Sequence, residues 1–147
     1  MIDLNLPKIA CNIRKNEGKF EVFDIIRKKF VRLTPEEWVR QHLVHYLIFH
    51  KKYPRSLIRI ESGLKYNLRQ KRSDILVYDR EARPFLIIEC KSFEVKINQA
   101  VVDQVSVYNK KLAAQFAVVS NGLIHYCCQF DDASGQVKFI DAFPDFA

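Results

Sequence analysis

Short apolar runs separated by charged or turn-forming residues dominate the pattern of this chain. Residues 75–78 (Ile-Leu-Val-Tyr) and 85–88 (Phe-Leu-Ile-Ile) flank a charged stretch, 79–84, that ends in proline. β-branched and aromatic runs of this length, bounded by turn residues, predict the two strands of a hairpin. If Tyr78 faces Phe85 across the ladder, Asp74 faces Glu89, because each step back along one strand is a step forward along its antiparallel partner. Period-two alternation then puts Lys91 on the face of Glu89 and turns Cys90 the other way. A one-residue slip would send the two acids to opposite faces.

The remaining pattern surrounds this hairpin. Residues 1–18 are mixed and predicted mostly irregular, while 20–24 alternates and predicts a short strand. Within 25–32, Arg27, Lys28, Lys29 and Arg32 are either phosphate contacts or a solvated face. Thr34-Pro35-Glu36-Glu37 predicts a helix start, with Thr34 as N-cap, Pro35 at the first helical position and Glu37 completing a capping box. The helix should run to about residue 52, before Tyr53-Pro54. Glu36, Val39, Arg40, Leu43 and Leu47 form one stripe along it. Residues 57–61 predict a strand, Ser62-Gly63 a break, and 64–68 a further run.

After Lys91 the period lengthens. Ile97, Val101, Gln104, Val105, Tyr108 and Leu112 recur three or four apart, predicting a helix of roughly four turns. Residues 116–120 predict a buried strand, and the helical crossover makes it parallel to 85–89. Asn121-Gly122 turns into a strand over 123–130, and 131–135 turns into 137–140. The order of helix, strand, hairpin, helix, strand and hairpin predicts an α/β fold with a central mixed sheet flanked by helices.

Composition bounds this picture. The 147 residues suit a single domain spanning 1–147. Hydrophobic residues make up 48% and charged residues 28%, as in ordinary globular proteins. A formal charge of +7 favours polyanionic partners through phosphate neutralisation. The four cysteines have no CxxC spacing, and adjacent Cys127 and Cys128 fall on opposite faces of a strand. They are expected to be reduced thiols of a cytoplasmic protein. No apolar run is long enough to span a membrane, so no membrane partner is expected.

The chemistry converges at the open end of the hairpin. Paired carboxylates from Asp74 and Glu89 suit Mg²⁺ (or Mn²⁺), which keeps waters for a substrate phosphate. Such an ion polarises a phosphoryl oxygen and lowers the pKa of bound water. Lys91 is placed to orient or deprotonate the attacking water, or to stabilise growing charge. The plain alternative is a salt bridge between Lys91 and an acid, but charge that terminates buried strands needs a reason. The basic cluster Arg69, Lys71 and Arg72 runs directly into Asp74 and is a cationic approach for a phosphodiester or a set of solvated charges. Ser92, Lys96 and Asn98 are further candidate phosphate contacts. Gln104, an amide within an apolar stripe, must find a partner. His42 and His45, three apart, lack HExxH and an evident fourth ligand, and read as helix residues.

Asp74 followed by Glu89-Cys90-Lys91 resembles the Asp…(Asp/Glu)-x-Lys signature of the PD-(D/E)XK nuclease superfamily. More narrowly, the chain is similar to the N-terminal nuclease domain of type I restriction enzyme motor subunits and its stand-alone relatives. Pro35-Glu36-Glu37-Trp38-Val39-Arg40-Gln41, Lys71-Arg72-Ser73-Asp74-Ile75, Leu86-Ile87-Ile88-Glu89-Cys90-Lys91 and Gln104-x-x-x-Tyr108 carry the resemblance in the family's order. Ser73 stands where the superfamily pattern often has proline. The resemblance implies a restriction-endonuclease-like αβββαβ core and an Mg²⁺-dependent nuclease acting on DNA in a restriction or DNA-processing context. It implies Asp74, Glu89, Lys91 and Gln104 as catalytic residues and Asp74, Glu89 and Glu36 as metal ligands, with Glu37 in reserve. A helix-stabilising role for Glu36 stays equally open. Tyr108, Arg72, Lys71, Arg69 and Ser92 would contact nucleic acid. The expected partners are DNA and, for assembly, a second copy or a larger restriction complex. The competing functions are a catalytically silent nucleic-acid-binding module that needs partner subunits, and a basic protein-interaction domain.

Overall fold

The computed structural model describes residues 1–61, 74–131 and 133–146, without the side chains of Glu61, Asp74, Tyr108 and Lys111. The run predicted over 64–68 and the cluster Arg69, Lys71 and Arg72 lie outside the described residues. The elements are β1 (Ile13–Asn16), β2 (Lys19–Asp24), β3 (Lys29–Arg32), α1 (Pro35–His45), β4 (Ile58–Glu61), β5 (Asp74–Tyr78), β6 (Pro84–Cys90), α2 (Gln99–Leu112), β7 (Phe116–Ser120), β8 (His125–Phe130) and β9 (Val137–Ile140). β1, β2 and β3 form a small antiparallel sheet. The large sheet runs β4-β5-β6-β7-β8-β9 and is antiparallel except where β6 meets β7. That parallel step is the one bridged by α2, as expected of a helical crossover. Among the described residues, no helix is long and apolar enough to cross a membrane.

Side-chain alternation along β6 sends its residues into two cores. Leu86, Ile88 and Cys90 pack with Val39, Leu43 and Leu47 of α1 and with Ile75 and Val77 of β5. Ile87 packs on the other side with Val102 and Val105 of α2, Val119 and Cys128. A strand covered on both faces reads as a continuous apolar run, which residues 85–88 are. Each fully buried Leu or Ile contributes about 1.5–3 kcal/mol relative to exposure. All four cysteines are free thiols, with Cys127 in the α1-side core and Cys128 in the α2-side core.

Two expectations need correcting, and one short strand was not foreseen. β1 lies within the stretch expected to be mostly irregular. Its residues are all exposed, so it carries no buried-face pattern, and pairing with β2 is what makes it a strand. The first helix is α-helical only to His45 and continues as a π-helix over Tyr46–His50, with Lys51 N donating to Tyr46 O at 3.0 Å. Thr34 does cap α1, accepting from Glu37 N at 3.1 Å, but no capping box is described. The Glu37 carboxylate turns to Arg27 Nη2 at 3.2 Å, Arg40 Nη1 at 3.1 Å and Gln41 Nε2 at 2.9 Å. Asp24 at the end of β2 joins the same buried cluster, accepting from Arg27 Nε and Gln41 Nε2. These contacts anchor the small sheet to α1.

The N-terminal segment straps the other side of α1. Trp38 Nε1 donates to Ile2 O at 2.9 Å, and Asn5 N donates to Gly122 O at 2.8 Å. Gly122 has φ +85°, and a Cβ there would meet Leu4 at 2.9 Å and Val39 at 3.1 Å. Both backbone conformation and close packing therefore require glycine at this turn.

Candidate functional site

β5 and β6 pair with Ile75 opposite Ile88, Leu76 opposite Ile87 and Val77 opposite Leu86. One step further, position 74 comes alongside position 89. A bulge between Val77 and Tyr78 sets Tyr78 opposite Pro84 rather than the expected Phe85. The irregularity is at the turn end of the hairpin, so it leaves the register at its open end unchanged. β4 extends the row, because Glu61 pairs with Asp74. Three acidic positions, 61, 74 and 89, thus lie side by side on neighbouring strands. Directly opposed Cβ positions on such strands are about 4.5–5.5 Å apart.

Glu89 is 3% exposed, and its Oε1 is 3.4 Å from Lys91 Nζ. Cys90 between them turns into the α1-side core, so Glu89 and Lys91 share the α2 side of β6. Lys91 N donates to Ser120 O at 2.8 Å, which continues the pairing of β6 with β7 past the end of the strand. Among the described side chains, no group of three or more His, Cys, Asp or Glu is arranged to hold a metal ion. Asp74 and Glu61 are outside that set.

Helix α1 packs on the opposite face from Glu89, with its first half near the β7–β8 turn through Val39 and Gly122. Glu36 is half-buried in its first turn. None of the described contacts joins Glu36 to Glu89 or Lys91. The reserve candidate, Glu37, already faces two guanidinium groups.

On α2, the buried stripe differs from the expected one. Val102, Val105 and Asn109 are buried, whereas Gln104 is exposed. The premise that Gln104 needs a partner inside the core therefore fails, since water satisfies an exposed amide. The buried amide is Asn109, which donates to Ala114 O and accepts from Ala114 N, both at 2.9 Å. Ser92 Oγ accepts from Glu94 N at 3.1 Å and shapes the turn after Lys91. Asn98 caps α2, accepting from Val101 N.

Residues 35–144 match the family described as the type I restriction enzyme R protein N terminus. The chain belongs to that family. Neither a curated protein nor a solved structure matches it. The region shared with R-protein N termini contains all the candidate acids, Lys91, Gln104 and Tyr108. The small sheet β1–β3 precedes it.

Sequence reasoning missed one position of the acidic row and several contacts around it. Glu61 was legible only as the end of a strand, because its partner is fixed across residues 62–73 by a register that the sequence does not display. Asn121 was legible as a turn residue, yet it is 5% exposed and donates to Val95 O at 2.9 Å while accepting from Leu123 N and Ile124 N. It ties the segment after Lys91 to the β7–β8 turn. Ser120, fully buried, lies 2.7 Å from His125 Nδ1 and accepts from Gly122 N at 2.9 Å. His125 Nε2 is 3.0 Å from Asn5 O, an acceptor only, so Nε2 carries the proton and Nδ1 accepts from Ser120 Oγ. Burial, opposed by the bond to Asn5, lowers the His125 pKa and keeps this ring neutral. The Ser–His pair is thus a satisfied structural contact with no accessible nucleophile.

Proposed function

We propose that this chain is a metal-dependent nuclease domain that hydrolyses DNA phosphodiesters in a restriction or DNA-processing context. The observation that carries the reading is the register that sets positions 74 and 89 beside each other, next to Lys91. The element order α1-β4-β5-β6-α2-β7 supports a restriction-endonuclease-like core, and the family supports the restriction setting.

The donor set fits Mg²⁺ or Mn²⁺: hard carboxylate oxygens on adjacent strands, in a row where repulsion between neighbouring acids favours a divalent cation. Asp74 and Glu89 would hold it, Glu36 would assist from the helix layer, and Glu61 stands in the row as a further ligand. The bound ion would supply Lewis-acid polarisation and a more acidic water. Lys91 positions the attacking water or steadies charge on the phosphate, and its pairing with Glu89 keeps its ammonium at the row. Gln104 and Tyr108 on α2 support the substrate strand, with exposed Gln104 reaching it from solvent. Arg69, Lys71, Arg72 and Ser92 contact the DNA backbone.

The test is cleavage of supercoiled and linear DNA in Mg²⁺ or Mn²⁺. Asp74→Ala and Lys91→Ala are expected to lower the rate by about 10²-fold or more, in the range of removing a positioned acid or base. Glu61→Gln is expected to raise the metal concentration needed for half-maximal cutting. Wild-type cleavage that both alanine variants retain in full would end this assignment. DNA binding without metal affinity at the acids would favour the alternative, a catalytically silent nucleic-acid-binding module.

A further inference from the structure

A second basic feature lies at the start of β4, at the other end of that strand from the acidic row, and uses none of the row's residues. The β2–β3 turn and the segment entering β4 enclose a cleft of about 550 Å³. Lys28, Arg55 and Arg59 line it over an apolar floor of Ile25, Ile26 and Ile58. Among the described residues no carboxylate lines the cleft, and none pairs with any of the three cations. Asp24, the nearest acid along the chain from Lys28, is spent elsewhere. Its oxygens accept from Ile26 N, Arg27 N, Arg27 Nε and Gln41 Nε2.

Two of the cations have described side-chain contacts, and the third stands on a fixed backbone turn. Arg59 Nη1 donates to Ser56 O at 2.7 Å and Ile58 O at 3.1 Å, so one edge of the guanidinium is fixed by backbone. The Arg55 guanidinium lies 6.0 Å from the Phe49 ring centroid. Lys28 has φ +56°, a left-handed conformation closed by its N–H donating to Asp24 O at 2.8 Å. Three like charges around one concavity repel one another, and an anion between them relieves that repulsion. Arg59 is two residues before position 61 on β4, about 7 Å of backbone at the strand rise.

We propose that this cleft is a phosphate seat for nucleic acid. It grips the sugar–phosphate backbone away from the bond at the acidic row, and the isoleucine floor receives an apolar edge of sugar or base. The seat rests on the reading that the chain acts on DNA, and it orients the strand without touching the reacting phosphate.

The experiment measures binding of labelled duplex and single-stranded oligonucleotides to the full chain by anisotropy in EDTA, so it does not depend on metal or cleavage. The double variant Lys28→Glu/Arg55→Glu should reduce the slope of log K against log salt by about 1.8 on duplex and about 1.4 on single strands. A control, Lys15→Glu/Lys19→Glu on the exposed β1–β2 hairpin, changes net charge equally and should have a smaller effect. Circular dichroism and the unfolding midpoint establish that both variants are folded. Unchanged affinity and slope in the cleft variant would overturn the proposal, and so would an equal effect in the control. A third arm titrates inorganic phosphate into the wild type. Phosphate binding that the cleft variant abolishes, with DNA binding untouched, would make the cleft a free-anion site and overturn the nucleic-acid assignment. A chain that binds DNA through the cleft but never cuts it would leave this proposal standing while the nuclease reading falls.

Discussion

His42, His45 and His125 each have a pKa below the ordinary imidazole value, mainly through burial, and His42 and Arg55 lower that of His45 further. His42 Nδ1 donates to Trp38 O at 2.8 Å, and its ring packs on that of Trp38 with centroids 4.4 Å apart. In the unfolded chain these rings take up protons near pH 6.5, whereas the folded state resists them. The unfolded state therefore binds more protons below that pH, and stability falls as pH drops from about 6.5 through the folded values. Asp24 acts in a separate, lower window. Burial pushes its pKa up, but hydrogen bonds from Arg27 and Ile26 and the Arg27 charge outweigh that and hold it below the usual value. Its contribution is complete above the unfolded value of about 3.8 and is lost as pH falls from there through the folded value. The expected outcome is a urea midpoint that is level above pH 7 and declines between pH 6.5 and 5, with His125→Gln flattening the decline. A midpoint independent of pH over that range would contradict this account.

At the element scale, α2 shows which part of a helix periodicity can reveal. Its existence and approximate span were legible because Val101, Val105 and Leu112 recur at helical spacing. Which way it rolls was not, because Val102 and Asn109 face inward while Gln104, in the expected stripe, is exposed. Its C-terminus ends on Ala113, in the left-handed region at φ +59°, with Ala113 N donating to Asn109 O at 2.7 Å. A Cβ in that conformation costs about 1–2 kcal/mol, which glycine avoids, though glycine loses more chain entropy on folding. Ala113→Gly is thus expected to stabilise the domain by about 0.5–1 kcal/mol in urea unfolding. The first helix illustrates a different limit: the i→i+5 segment Tyr46–His50 is its last turn, so no helical residues follow in which a shifted phase could show.

At the scale of the whole molecule, the small sheet β1–β3 lies before the family-matched region, yet it is built into the core of α1. Removing residues 1–33 would strip Arg27 from Glu37, Asp24 from Gln41 and Leu4 from Val39 and Gly122. Glu37 would keep Arg40 and Gln41, but each buried polar group left short of a partner costs about 1–3 kcal/mol, a large part of a domain's total stability. A chain beginning at residue 34 is expected to lose cooperative thermal unfolding, although it retains every candidate catalytic residue. Unchanged cooperativity and midpoint in that truncation would show the small sheet to be dispensable.

Local order was available to inspection of the chain alone. Thr34-Pro35 announces a helix start, the runs 75–78 and 85–88 announce a hairpin, and the helix between Lys91 and Phe116 makes the next strand parallel. These follow from backbone sterics, capping and side-chain periodicity, which act within a few residues. The alignment of Asp74 with Glu89 was accessible because a short turn leaves few registers. Tertiary structure alone decided the rest: Glu61 beside Asp74, Asn121 bridging to Val95, the Asp24–Arg27–Glu37–Gln41 cluster, and three cations around one cleft. Such juxtapositions join residues far apart in the chain, and they are selected by the packing of whole elements on one another.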